Sequence, residues 1–159
     1  MLRRQKTDPA DEPLPRRVLV VDADEAAAEV WARVIETAGH QVDRLVGDAV
    51  LPELRRTPFG CVVVNASQHG GASRGFQIVD AVRNDEERQA RRVGLVLVLP
   101  NAKNRIFAWE SGIDDMLVLP VDADRLITTV TEVLDRTRAE RIEHREACLA
   151  AARRGDPLE

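Results

Sequence analysis

Arg17-Val18-Leu19-Val20-Val21-Asp22-Ala23-Asp24-Glu25 is the stretch whose reading decides the fold. Four consecutive aliphatic residues, Val18 to Val21, are too few for a buried helix and suit a strand covered on both faces. Strands of that kind belong to parallel sheets, which bind ligands beyond their carboxyl ends. Asp22 and Asp24 stand at that end. Two readings are open for them: an acidic metal and phosphate site, or caps for the helix that follows.

Working outward, strand and helix patterns alternate. Ala27, Val30, Trp31, Val34, Ile35 and Ala38 recur at helical spacing before Gly39. Gln41 to Val46 reads as a second strand, and Gly47-Asp48 as the cap of a short helix ending near Arg56. Cys61 to Val64 is a third strand, closed by Asn65. Ala66 to Arg74 reads as a glycine-rich loop, and Gly75 to Arg83 as a helix. Asn84 to Arg92 is charged, helical or loop. Val93 to Leu99 is a central strand ended by Pro100. Lys103 to Glu110 is a short fourth helix, Met116 to Leu119 a fifth strand, and Asp122 opens a long final helix. Because each crossover must be long and right-handed, five such repeats predict an α/β fold with a doubly wound, five-stranded parallel sheet.

Composition excludes several classes. A chain of 159 residues with 44% apolar content can bury a core without staples. Cys61 and Cys148 form neither a disulfide framework nor a metal spacing. Residues 1–15 carry charge and Pro9, Pro13 and Pro15, the composition of a flexible lead rather than a secretory signal, so a cytoplasmic protein is expected. No apolar run reaches spanning length, so no membrane is expected. A net charge of −4 with no tyrosine argues against nucleic acid. Arginine pairs such as Arg16-Arg17, Arg55-Arg56 and Arg91-Arg92 read as scattered, solvated surface.

The opening strand with its acidic turn resembles the receiver domains of bacterial two-component response regulators. So does Glu110-Ser111-Gly112-Ile113-Asp114-Asp115-Met116-Leu117-Val118-Leu119-Pro120-Val121-Asp122. The resemblance covers residues 16–136 and implies the flavodoxin-like receiver fold, a cis Leu119–Pro120 bond and a C-terminal helical extension over 137–159. It also implies an aspartyl-phosphate site, and there the chain departs from the family pattern. The second metal-binding acid is Ala23, and Asp24 is well placed as a helix cap. The phosphoacceptor position is Asn65, an amide and a poor nucleophile. The hydroxyl position is Leu97 or Leu99, the lysine position Leu119 and the switch aromatic Met116. Together these losses remove the electrostatics on which phosphoryl transfer depends. A degenerate pseudo-receiver is expected, with Asp22 and Asp24 as the acidic remnant and no metal or other cofactor.

No assembled acid–base or nucleophile set appears, so no enzyme is expected. Ser67 and His69 lie too close in sequence for a catalytic pair. Ile106, Phe107 and Trp109 span most of a helix circumference, so they cannot all face inward. In receivers this fourth helix, the fifth strand and the fifth helix form a common partner face. Ile106, Phe107 and Trp109, with Leu126 and Val130 on the final helix, are therefore the candidate interface for a kinase, another regulator or a second copy. With no output domain read after residue 136, a phosphorylation-independent adaptor is the leading expectation. The alternatives are a regulator still phosphorylated on aspartate with magnesium, and a nucleotide binder at the altered strand ends.

Overall fold

The computed structural model describes residues 13–68 and 71–158. Most of the expected N-terminal lead lies outside them, as does His69. Twelve elements run in the order β1 (Arg17–Asp22), α1 (Glu25–Glu36), β2 (Gln41–Val46), α2 (Val50–Arg56), β3 (Cys61–Asn65), α3 (Gly71–Arg83), α4 (Arg88–Arg91), β4 (Gly94–Leu99), α5 (Arg105–Ser111), β5 (Asp115–Val118), α6 (Ala123–Asp135) and α7 (Arg138–Arg154). The fourth helix of the sequence reading is α5, because the charged stretch before β4 contains the single turn α4.

The strands form one parallel sheet in the order β2-β1-β3-β4-β5. The register pairs Val21 with Val64, Asn65 with Val98, and Leu97 with Met116. Side chains alternate across the sheet, so its two faces make two cores. On one face Leu19, Val21, Val62, Val64, Leu95, Leu97 and Leu99 pack with residues of α2, α3 and α5. On the other, Val18, Val20, Cys61, Val63, Val96 and Val98 pack with α1 and α6. β4 is buried at every position, which explains its unbroken apolar run. The Leu119–Pro120 bond is cis.

Three local expectations need correction. Gly71 to Arg74 belong to α3 rather than to a loop. Asp48 caps nothing: Ala49 is the residue before α2 and makes no side-chain cap bond. The long final helix is two helices. Arg136 leaves helical geometry at ψ 138°, and Thr137 restarts the chain as the N-cap of α7, exchanging hydrogen bonds with Glu140 in a capping box. The Thr137-x-x-Glu140 spacing is the local sequence signal for this restart.

This break lets α7 fold back along α5. Cys148 and Leu149 pack against the first core and Ala152 is buried in it. Residues 137–154 are therefore a docked layer of the domain rather than a projecting extension.

Candidate functional site

The site at the carboxyl ends of β1 and β3 follows from strand alternation. Asp22 continues the row Val18, Val20, and Asn65 continues the row Cys61, Val63, so the two side chains stand side by side. Asp22 is 1% exposed, and hydrogen-bond donors close around its carboxylate. Asn65 Nδ2 donates to Oδ2 at 2.7 Å. Gln68 Nε2 donates to Oδ1 at 3.1 Å, and the Asp24 backbone N–H to the same oxygen at 2.9 Å. Asn65 Oδ1 in turn accepts from Ser67 N at 3.1 Å and Ser67 Oγ at 2.6 Å. The buried charge is thus satisfied by neutral amides, which a carboxylate in low dielectric requires.

Asp24 points away from this cluster. Its Oδ2 accepts from Ala27 N at 2.9 Å and it is the N-cap of α1. Ala23 supplies no ligand. A divalent cation needs several hard oxygens, and the only carboxylate here already accepts on both of its oxygens. The residues present do not fit a magnesium ion.

Leu97 and Leu99 lie on one row of β4 and are both buried, so either register leaves the hydroxyl position apolar. Met116 is buried beside Leu97. Leu119 is 38% exposed at the end of the strand. Gly75 holds α3 tight on this end of the sheet: a Cβ there would lie 2.6 Å from Ala66 Cβ and 3.0 Å from Leu97 Cδ1. The remaining cavity, about 150 Å³, is lined by Asp22, Asn65, Gln68 and Arg74. It is smaller than the ~300–1,000 Å³ typical of small-molecule pockets. Gln68, which donates to Asp22, and Arg74, which lines the same cavity, come from the stretch read as a loop, with no local pattern that places them there.

Replacing Asn65 by aspartate would put a second carboxylate against Asp22 in place of a donor 2.7 Å away. In metal-free buffer Asn65→Asp is expected to lose about 1–3 kcal/mol. Magnesium should restore part of that loss, while the wild-type melting midpoint stays insensitive to magnesium. A variant as stable as wild type in chelator would contradict this reading of the cluster.

The expected partner face is changed by α7. Leu126 and Val130 are buried against the sheet, because α6 turns its apolar stripe onto β3, β4 and β5. They are core residues and not interface. Trp109 is 5% exposed and meets His144 of α7 edge-on at 5.8 Å, so it too is removed from the face. Ile106 and Phe107 stay outside at 43% and 56% exposure, with Phe107 edge-to-face on Phe76 at 4.7 Å.

What fastens α7 is a cluster that the sequence reading did not assemble. Asp114, fully buried, accepts from Arg83 Nη2 at 2.7 Å, Arg141 Nε at 2.9 Å, Arg145 Nη2 at 3.2 Å and Leu95 N at 2.8 Å. Burial alone would raise its pKa, but the three guanidiniums hold it down at about 2. Arg83 is lowered too, to about 10, chiefly by burial and further by Arg141 and Arg145, against the pull of Asp114. It stays charged at neutral pH. Next to it, a hydrogen bond to Asp115 lifts His144 to about 9, and Cys148 reinforces it. Asp114 and Asp115 were visible as the acidic pair of the motif, and Arg141, His144 and Arg145 share one helix face. Only the fold brings the two sets together.

Solved structures with the same fold include response-regulator receiver domains. A putative response regulator from Chloroflexus aurantiacus superposes with a TM-score of 0.66 at 22% identity, over 77% of this chain and 99% of that one. A receiver domain from Bermanella marisrubri gives 0.65 at 22% identity, over 76% and 98%. A sensor protein from Polaromonas gives 0.63 at 23% identity, over 76% and 98%. The fold is the CheY-like receiver fold. A curated relative, the DNA-binding dual master transcriptional regulator RpaA of Synechocystis, is 25% identical over 121 residues. That alignment takes in 76% of this chain, which spans about half the length of the relative. No family model matches. Among the described residues no helix is long and apolar enough to cross a membrane.

Proposed function

We propose that this chain is a receiver-fold signalling module that works without phosphorylation, as a non-enzymatic adaptor binding another protein. The observation that carries the reading is Asn65, whose amide donates to Asp22 where the fold family has its phosphoacceptor. A phosphoryl group needs a carboxylate nucleophile and counter-charges, and an amide cluster around one buried acid offers neither. Apolar side chains at Leu97, Leu99 and Leu119 support the same reading. The proposed contact is the Ile106–Phe107 ridge beside Phe76, which stays exposed after α7 has docked. A signalling kinase, a second regulator or another copy of the chain fits such a surface.

Incubation with acetyl phosphate and magnesium, followed by intact mass measurement, tests the first half. The mass is expected to stay unchanged. A stoichiometric gain of one phosphoryl group would overturn the proposal and restore a conventional response regulator. For the second half, Phe107→Ala should lose partners that wild type retains in an affinity capture while the chain stays folded, its midpoint falling only by the few degrees that loss of the Phe76 ring contact implies.

A further inference from the structure

Among the described residues, the end of the sheet opposite Asp22 holds a cleft of about 380 Å³. Eight of its ten described lining residues are arginines, and none of the ten is acidic. In sequence these arginines are scattered over more than sixty positions, from Arg83 in α3 to Arg145 in α7. In a chain of net charge −4, that concentration of one sign is made by the fold alone.

The positive charge is only partly neutralised. Arg83, Arg141 and Arg145 share a single carboxylate, Asp114. Arg136 pairs with Glu132 at 3.1 Å and faces Asp115 at 3.5 Å. That facing atom, the buried Nη1, lies in ion-pair range of Asp115 but makes no hydrogen bond. Buried donors without an acceptor are rare in folded proteins. At the rim, Arg88 and Arg138 are exposed, and their side chains make no hydrogen bond or ion pair with any described residue. Burial and the neighbouring guanidiniums also weaken the hold of Arg83 on its proton, which fits positive charge in excess.

We propose that this cleft binds a small polyphosphate, as inorganic pyrophosphate or as the phosphate chain of a nucleoside di- or triphosphate. Guanidinium groups match phosphate oxygens with paired N–H donors, and several of them converging in a concave site favour a ligand of more than one charge. The volume falls within the ~300–1,000 Å³ range of small-molecule sites. No aromatic side chain lines the cleft, so recognition rests on the phosphates and a base adds little. Nucleic acid is the less favoured ligand, because the net acidic chain lacks an extended basic face and stacking platform. The ligand would bridge Arg88 of α4 to Arg138 at the start of α7, and so tighten the docking of that helix. The site is independent of the Asp22 cluster and of the phosphorylation question.

Isothermal titration calorimetry with pyrophosphate, ADP and orthophosphate tests it on the full chain at low salt. Pyrophosphate and ADP are expected to bind saturably with one site and similar affinity, and orthophosphate about ten-fold more weakly or worse. The melting midpoint should rise with pyrophosphate concentration. Arg88→Glu/Arg138→Glu should weaken pyrophosphate by about ten-fold or more, since it reverses two rim charges without touching the Asp114 cluster. Arg125→Glu, at the far end of α6, should leave the affinity within about two-fold. If the double variant does not fold, Arg88→Gln and Arg138→Gln singly give the same comparison. Absence of saturable binding at millimolar pyrophosphate and ADP would overturn the proposal. So would an affinity unchanged in the rim variants, or a short DNA duplex binding more tightly than pyrophosphate.

Discussion

Asp114→Ala is expected to be the most damaging single substitution in this protein, costing about 3–5 kcal/mol. For a chain of this size each kcal/mol moves the midpoint by roughly 2–4 °C, so a thermal melt should drop by roughly 6–20 °C. The reason is that the carboxylate is the only acid shared by Arg83, Arg141 and Arg145, and it also accepts from Leu95 N in β4. Removing it leaves guanidiniums facing one another with their common counter-charge gone. Asp114→Asn preserves the shape and one acceptor but not the charge, and should recover only part of the loss. The acid side of the stability profile follows from the same group. Its pKa is about 2 when folded, below the 3.8 of a free aspartate, so its stabilisation is complete above pH 3.8 and is lost as pH falls through 2. That depression corresponds to something on the order of 2 kcal/mol. Wild type should therefore lose stability through that window, while Asp114→Ala, lacking the group, should show a shallower acid limb. A variant melting within a degree or two of wild type would show that the cluster is not what holds α3, β4 and α7 together.

Truncation after Arg136 is the second change expected to act strongly. It removes α7 and with it Arg141 and Arg145, leaving Asp114 with one guanidinium. It also uncovers Trp109 and the part of the first core against which Cys148, Leu149 and Ala152 pack. An apolar face opened in this way either lowers stability or is covered by a second copy. In a Trp31→Phe background, Trp109 emission should move to the red on truncation, the midpoint should fall, and light scattering should detect self-association. A truncated chain that stays monomeric, keeps its blue emission and melts within about 2 °C of the full chain, a loss under 1 kcal/mol, would return α7 to the status of an appendage.

The residues show what could be read and what could not. The positions of the central strands were legible because Val18–Val21, Cys61–Val64 and the β4 run are each buried on both faces, and burial of that kind leaves a continuous apolar signature. Asp24 as a helix cap was legible because capping is a local interaction, complete within three residues. The departures at Ala23, Asn65 and Leu119 were legible one position at a time. How Asn65 and Gln68 close on Asp22 was not, since it joins side chains more than forty positions apart. The interface expectation failed at Leu126, Val130 and Trp109 for two reasons. An apolar helix stripe does not say which surface it meets, and the end of α6 at Arg136 was passed over, so α7 was not placed across α5.

By itself, then, the sequence determined the sheet, its winding and the chemical types at the carboxyl ends of β1 and β3, because periodicity, caps and single residue identities are local properties. Only the tertiary structure decided that a buried aspartate is satisfied by amides, that α7 is fastened to the domain through Asp114, and that arginines from α3, α4, α6–α7 and α7 meet in one cleft. Charges spread over sixty positions read as solvated surface in one dimension. Their sum becomes a field only when folding places them within a few ångströms of each other in a low-dielectric wall.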